Sequence, residues 1–551
     1  MKRLKYFFGF LSFVICFSSC EDMLTVDSER YTTVEENGLT SPNDSVSSIL
    51  GLLRGLQEIG DRYMLLGEIR ADLLDVTPYT PAAIRELSDF TISETNAYCN
   101  PRNYYDIINN CNYFISRTSD ESSPLEKENA LVHAIRAWTY MQVVFNWGKA
   151  AYFTEPLLSV EDTEKDFPVY SIDEMLDVLI TDLEPFSEAV FPDYGTVYDF
   201  RSSELFFPVK VLLADLYLWR GATTDDYEKA ATYYAEYIDS KTTGGGGGMG
   251  MANNPSIAWS YENFLNQRFE MPNNNSWSSV TTASSSGNSE LITAIQMATD
   301  ASQGKMKQSY LIELGISEVA NALWDDQSYV LHYITSTTTT NYYTTGDLRK
   351  QGNIYGTVII VSEGNEEQQF PLLYKLYGSN HILIYRLGLI YLRYAEAVNR
   401  AGKPHTAFAV LKYGLGPETF MDETRIPREE LADAKPYITV FNGQKYANAQ
   451  GIHARGCGDA AYDMYYVIGK NGSETLATHA DTIQWVEDAI CTELALETSF
   501  EGNRFQDLVR MALRRNDPSF LAKQIAAKHE NDYDRIYNLL QDTKNWFLPE
   551  Q

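Results

Sequence analysis

The stretch "LIYLRYAEAVNRAGKPHTAFAVLKYG", Leu389 to Gly414, decides the fold. Ala395 and Val398 stand three apart, Gly402-Lys403-Pro404 interrupts, and Ala407 and Leu411 resume the apolar spacing. Residues three and four apart share a helix face, so the run predicts two amphipathic helices with a Gly and Pro turn between them. Small side chains on the facing positions let the helices approach closely, as an antiparallel hairpin.

The same plan stands earlier in "PVKVLLADLYLWRGATTDDYEKAATYYAEYI", Pro208 to Ile238. About four more residues separate Ala214 from Ala230 than Ala395 from Ala407, and these are expected in the turn. The spacing resembles the tetratricopeptide pattern, and two hairpins are too few for a free-standing solenoid, so the scaffold is expected inside a larger unit. Further helices are predicted from "SVSSILGLLRGLQEI", with Val46, Ile49, Leu50, Leu53, Leu56 and Ile59 in helical register, and from "YYDIINNCNYFISR" and "EKENALVHAIRAWTYMQVVFNWG". Between the hairpins the composition changes. "KTTGGGGGMGMANN" reads as a connector and "NNNSWSSVTTASSSGNS" as polar loop. "TSTTTTNYYTTGD" and "NIYGTVIIVSEG" read as loops and short β-hairpins. The predicted class is mostly α, with long loops and a few short β-hairpins. One unit is expected over 46–551, with an N-terminal helical part (46–240), a loop-rich insert (241–370) and a C-terminal helical part (371–551). Ligand contacts are expected in the insert, because loops on a rigid frame carry variable contacts.

At the N-terminus, Lys2, Arg3 and Lys5 precede an apolar run from Tyr6 to Phe17. That run falls short of the roughly 18 residues a spanning helix needs, so residues 1–19 read as a secretory signal. Phe17-Ser18-Ser19-Cys20 resembles a bacterial lipobox, with Phe17 where Leu is usual, which makes Cys20 the expected lipid-bearing residue and 20–45 a tether. The alternative is an ordinary signal with an incidental cysteine. Lys plus Arg total 44 against 75 Asp plus Glu, a net charge of -31. Such a surface repels phosphate backbones and anionic headgroups, so nucleic acid is not an expected partner and membrane attachment falls to the lipid. Cys99, Cys111, Cys457 and Cys491 could form two disulfides, but free thiols are the preferred reading in a chain this long.

Two further segments carry a family resemblance. "IYRLGLIYLRYAEAVNRAG" supplies Arg386, Leu392, Ala395-Glu396-Ala397, Asn399 and Gly402. "ELALETSFEGNRFQDLVR" supplies Glu493, Glu497, Glu501-Gly502, Arg504, Asp507-Leu508 and Arg510. With Asp347-Leu348-Arg349, "NWGKAAYFTEP" and the closing "WFLPE", in this order and with the lipobox, the chain resembles the SusD/RagB group of Bacteroidetes outer-membrane lipoproteins. The resemblance implies a SusD-like fold with a tetratricopeptide-like scaffold. It also implies a cell-surface lipoprotein of the outer membrane that captures a glycan, or sometimes a peptide or host protein, and docks on a SusC-type TonB-dependent transporter. Glu21 and Asp22 after the cysteine resemble the signal that sends such lipoproteins to the outer face. Physically, Glu501 with Arg504 and Asp507 with Arg510 read as i, i+3 ion pairs on a helix.

Chemistry is not singled out. Glycoside hydrolysis would need two carboxylates about 5 to 10 Å apart across a cleft, and no short motif marks such a pair. The histidines His133, His332, His381, His405, His453, His479 and His529 lack the spacing of a zinc helix, so no metal or cofactor is expected. "RGCGD", Arg455 to Asp459, reads as a glycine-lined turn and not as a nucleophile site. A binder, not an enzyme, is the expected class, and sugar-binding candidates are aromatics in polar loops. Trp277 leads, followed by Tyr79 and by Tyr98 with Asn96 and Arg102 as polar neighbours. Trp324 is the last candidate, although Ile316, Val319 and Leu323 place it on an apolar helical face, where core packing is favoured.

Overall fold

The computed structural model describes residues 42–118, 124–197, 199–242, 259, 261–266, 290–297, 310–361, 367–373, 375, 381–469 and 476–549. Its principal elements are α1 (Pro42–Glu68), β1 (Leu74–Val76), α2 (Ala82–Ser88), α3 (Arg102–Thr118), α4 (Glu126–Trp147), β2 (Lys149–Ala151), β3 (Val169–Ser171) and α5 (Ile172–Leu183). Then follow α6 (Val209–Arg220), α7 (Thr224–Lys241), β4 (Leu291–Gln296), β5 (Leu314–Ile316), α8 (Glu318–Asp325), β6 (Ser328–Ile334), β7 (Thr339–Thr345), β8 (Ile354–Val361), β9 (Glu367–Leu373) and β10 (His381–Arg386). The C-terminal part holds α9 (Leu387–Arg400), α10 (Pro404–Lys412), α11 (His479–Thr498), α12 (Arg504–Arg515), α13 (Pro518–Ala526) and α14 (Tyr533–Leu540). The expected mostly-α class holds. Strands occur as two-stranded antiparallel pairs, including β6 with β7 and β8 with β9, the two hairpins predicted in the insert. Among the described residues no helix is long and apolar enough to cross a membrane.

Both predicted helical hairpins form, α6 with α7 and α9 with α10. The first differs in one respect. Its connection is only Gly221 to Thr223, because Thr223 caps α7 by accepting from the Asp226 N–H while Asp226 accepts from the Thr223 N–H. The extra residues therefore extend the helices by about one turn instead of lengthening the loop. Ala214, Ala230, Ala395 and Ala407 are fully buried, and α9 packs against α7 as well as α10, so the two hairpins share one core with the helices around them. Aromatic stacking reinforces that core where α4 meets α6, with the Phe145 and Trp219 rings 3.8 Å apart. Cys99, Cys111, Cys457 and Cys491 are buried and unbridged.

The acidic and basic residues of the sequence signatures form a buried ionic lattice. Arg386, at the end of β10, reaches Glu497 (2.7 Å), Glu501 (2.9 Å) and Glu290 (3.3 Å). Arg349 holds Asp347 (2.6 Å), Glu493 (2.6 Å) and Glu497 (2.9 Å), and Arg455 holds Glu290 (2.5 Å) and Glu497 (3.0 Å). Lys375 completes the set on Glu501 at 2.6 Å, and His453 meets Glu493 at 2.9 Å. Burial alone would push the Glu497 carboxyl up, yet the surrounding Arg455, Arg386 and Arg349 outweigh it and hold the pKa at about 2. The helical i, i+3 expectation holds for Asp507 with Arg510, at 2.7 Å, but not for Glu501 with Arg504. Glu501 lies in the turn before α12, and Arg504 instead pairs with Asp72, 2.7 Å away beyond the end of α1. "RGCGD" is also more than a turn: Arg455 belongs to the lattice, and burial pushes the Cys457 thiol well above its ordinary range.

One buried carboxyl lacks such compensation. Glu68, the last residue of α1, accepts from the Gly502 N–H at 2.7 Å through Oε1, and burial raises its pKa to about 8. The folded state thus holds a proton that the unfolded chain releases near pH 4.5. A raised carboxyl pKa contributes stability that is fully present below the unfolded value and is lost as pH climbs through the folded one. Glu68→Gln keeps an acceptor for Gly502 and removes the titration. The variant is expected to gain on the wild type by about 2 kcal/mol or more between pH 5 and pH 8, read from urea midpoints across that range. Parallel pH curves for the two proteins would refute the assignment.

Candidate ligand-binding surface

Of the residues singled out in the sequence, Cys20 and Trp277 lie outside the described residues. Tyr79 sits on a turn fastened from both sides: the Thr77 N–H donates to Thr80 Oγ1 (2.7 Å), while the Thr77 and Thr80 hydroxyls donate to the Ile312 and Glu313 carbonyls. Its ring is 38% exposed on that fixed base. Asn96 is buried and structural in its bonding, accepting from the Tyr98 N–H (3.0 Å) and donating to the Ala83 carbonyl and to Glu86 (2.9 Å each). It shapes the loop on which Tyr98 is half-buried and Arg102 is exposed. Arg62 fastens the same loop by donating to the Ala97 and Asn100 carbonyls. Trp324 is fully buried, edge-on to Phe500 at 6.0 Å, and offers no face to a ligand. The apolar side of α8 sets that outcome, since Ala320 and Trp324 lie i, i+4 on it and are both buried.

Among the described residues, an exposed aromatic surface lies on the β6–β7 hairpin and the segment 458–468. Strand alternation puts Val330 and His332 on one face of β6, opposite Tyr343 and Asn341 of β7. Against this face the Tyr462 ring stacks on His332 at 3.6 Å with an interplanar angle of 2°, and Tyr465 meets Tyr343 edge-on at 5.2 Å. Asn341 bonds the His332 ring (2.6 Å) and donates to the Tyr462 carbonyl (3.3 Å). The outer faces are open: Tyr462 is 52% exposed, Met464 55% and Tyr465 54%. The other face of the hairpin is covered. Tyr261 stacks on Tyr333 at 4.0 Å, and Phe264, Tyr329 and Leu348 form a small apolar cluster with Trp259 against it.

The ionic lattice anchors this shelf. The Leu348 N–H donates to the Gly456 carbonyl and the Asp459 N–H to Val330, so the base of the hairpin and the start of the 458–468 segment are tied to Arg349 and Arg455. Gly458 makes the junction possible: at φ +72 it bridges to Val330, and a Cβ there would sit 2.3 Å from the Val330 carbonyl oxygen. Asp459 then accepts from the His332 N–H at 2.7 Å. Farther along, Lys412 donates to the carbonyls of Asp463 and Tyr466, 2.7 Å each, and pins the far end. Broad rings with fixed positions beside amide, imidazole and carboxylate groups suit a ligand with apolar faces and hydroxyl edges. The hairpin is legible in the sequence, whereas Tyr462 and Tyr465 are not among the candidates it offers. Their segment, "YDMYYVIG", is mostly apolar apart from Asp463, so the polar-loop criterion does not mark it, and the contact with the hairpin alone brings it out.

No family model matches the chain, and no curated protein does either. Solved structures do. B. fragilis NanU superposes with a TM-score of 0.54 at 18% identity, covering 90% of this chain and 94% of its own. A SusD superfamily protein from Bacteroides vulgatus gives 0.55 at 14% identity, covering 92% and 95%. A SusD homolog from Bacteroides thetaiotaomicron gives 0.53 at 14%, covering 91% of each chain.

Proposed function

With the SusD fold of this chain as the premise, we propose that it is a glycan-binding component of a nutrient-uptake system. In this reading the lipid on Cys20 holds it at the outer membrane facing outward, and it delivers captured polysaccharide or oligosaccharide to a SusC-type TonB-dependent transporter. The shelf of Tyr462 and Tyr465 is the observation that carries the reading. Two rings lie about half exposed while their backs are fixed by His332 and Tyr343. A free aromatic side chain must be ordered when it binds, and a ring already held in place avoids that cost. Sugar rings would stack their apolar faces on the tyrosines, while hydroxyls would reach the phenol, amide and carboxylate groups around them.

Affinity electrophoresis against a polysaccharide panel tests the reading. Tyr462→Ala and Tyr465→Ala are each expected to weaken binding about tenfold, the equivalent of 1.4 kcal/mol. Both should unfold within about 0.5 kcal/mol of the wild type, because the rings are peripheral. Binding of peptides alone would favour the other ligand class of this fold, and release of reducing ends from a bound glycan would sink the binder reading.

A further inference from the structure

The β6–β7 hairpin is closed along one edge and open along the other. At its tip the Thr335 N–H donates to the Thr338 carbonyl at 2.8 Å, and at its base the Gly346 N–H donates to the Gln327 carbonyl at 2.7 Å. The register between these two points is unbroken, so every second pair carries the ladder bonds: Tyr333 with Thr340, Leu331 with Tyr342, Tyr329 with Thr344. The residues between them turn their N–H and C=O groups out of the hairpin. On β6 these are Val330 and His332, and both are answered. The Asp459 N–H donates to the Val330 carbonyl at 2.8 Å, and the His332 N–H donates to the Asp459 carboxylate at 2.7 Å. On β7 they are Thr339, Asn341, Tyr343 and Thr345. Among the described residues β7 pairs with β6 alone, and no hydrogen bond reaches the outward main-chain groups of these four.

Proteins ordinarily guard such an edge with a charged side chain, a proline, a bulge or a covering segment. The strand β7, "TTNYYTT", has no charged residue, no proline and no bulge, and it is exposed at both ends and half-buried between them. What an open edge can recognise follows from its main chain. One N–H and one C=O recur every second residue, about 7 Å apart, which is the period of another extended backbone; a sugar chain offers no matching row. An added strand would lie about 4.8 Å from β7, with alternate side chains beside Asn341 and Tyr343 on one face and beside Thr340 and Tyr342 on the other. Each face thus presents a tyrosine ring, and such rings attract ammonium and guanidinium groups. The segments that cover the hairpin add exposed acids, Glu262 next to Tyr261 and Asp459 at the closed edge. The chain as a whole carries a net charge of -31, a field that repels a second copy of itself and draws in a basic segment.

We propose that β7 is a strand-addition site for an extended peptide segment of basic sequence, which pairs with Thr339, Asn341, Tyr343 and Thr345 as the third strand of the sheet. Main-chain pairing supplies affinity with little demand on sequence, so positive charge and an unhindered backbone are the requirements. The site does not rest on the glycan reading. It uses the edge of the hairpin, whereas the shelf uses the ring faces of Tyr462 and Tyr465.

Fluorescence anisotropy of the full chain with a labelled peptide of alternating Lys and Val, long enough to span β7, provides the test. The same peptide with Pro in place of each Val keeps the charge and cannot complete a ladder, and the one with Glu in place of each Lys reverses the charge. The basic peptide should bind about tenfold or more tighter than either. Thr339→Pro and Thr345→Pro each remove an outward N–H at a position where an edge strand tolerates proline, and each should weaken binding about tenfold. Amide exchange read residue by residue in the wild type keeps the test independent of how those variants fold. Bound peptide should slow exchange at Asn341 and Tyr343 and leave Thr340 and Tyr342, already in the ladder, as they were. Equal binding of the proline or the acidic peptide, or binding without that alternation, would overturn the assignment. So would protection of the same amides by raised protein concentration alone, which would give the edge to a second copy of the chain.

Discussion

Arg386→Met is expected to destabilise the protein by about 3–5 kcal/mol, the cost of breaking a buried charge pair by removing one partner. The lattice sets Asp347, Glu290, Glu493, Glu497 and Glu501 against Arg349, Arg386, Arg455 and Lys375, with His453 beside Glu493. Arg386, like Arg349, touches three of those carboxylates, and it also donates to the Glu497 carbonyl at 2.6 Å. Methionine fills similar space and supplies no charge. Among the described residues, Glu290 and Glu497 would then rely on Arg455 and Arg349, and Glu501 on Lys375. The pH dependence makes the prediction specific. In the wild type Glu497 and Glu501 are held below the ordinary carboxylate range, so their stabilisation is full above 4.5 and is lost progressively as the pH falls from there through the folded values. In the variant the same carboxyls lose their cation and their pKa values rise, so protonation relieves the repulsion as the solution is acidified. The gap between wild type and variant, taken from urea midpoints, should therefore narrow from pH 7 to pH 4.5. A gap that is constant with pH would mean that Arg386 acts by packing alone.

That lattice also shows which parts of this fold a sequence can reveal. The hairpin Leu389–Gly414 was legible because its information is local: residues three and four apart meet on a helix face, and Gly402 and Pro404 punctuate the run. Asp507 with Arg510 was legible for the same reason. The Glu501 and Arg504 spacing was misleading, because the i, i+3 rule presumes that both residues are helical. The chain turns at 499–503, and each residue instead meets a partner more than a hundred positions away. The shelf divides in the same manner. Its hairpin could be read from the Thr- and Tyr-rich run, residue types that favour strands, whereas the stacking of Tyr462 on His332 is a contact across the chain that no local spacing encodes. For Trp324 the local signal sufficed, since the apolar face that counted against it is the one the fold buries.

Gly67→Ala is expected to cost at least about 3 kcal/mol, against the local preference that would make alanine the better helix residue by about 1 kcal/mol. Gly67 lies in the last turn of α1, where a Cβ would fall 1.8 Å from the Gly502 carbonyl oxygen. Two backbones touch at this point, so no side-chain rotation can make room. Gly502 itself is at φ +95 and lies against the Tyr63 ring and the Met64 backbone on the same face of α1, so the turn is packed on the helix at more than one residue. The contact is clasped from both flanks, by Glu68 accepting from the Gly502 N–H and by the Tyr63 hydroxyl donating to Asn503 Oδ1 at 2.9 Å. Ordinary over-packing in a core costs about 1–3 kcal/mol because side chains share the strain, and here only main chain is available to move. The displaced turn carries Glu501, so the strain passes to Arg386 and Lys375 and from them into the lattice beneath the shelf. Loss in the urea midpoint should accordingly be joined by faster amide exchange at the start of α12 and at the 455–459 segment. An unchanged midpoint would show that the helix and the turn do not meet backbone to backbone. A lowered midpoint with exchange altered only in α1 would confine the strain to that helix and separate the crossing from the lattice.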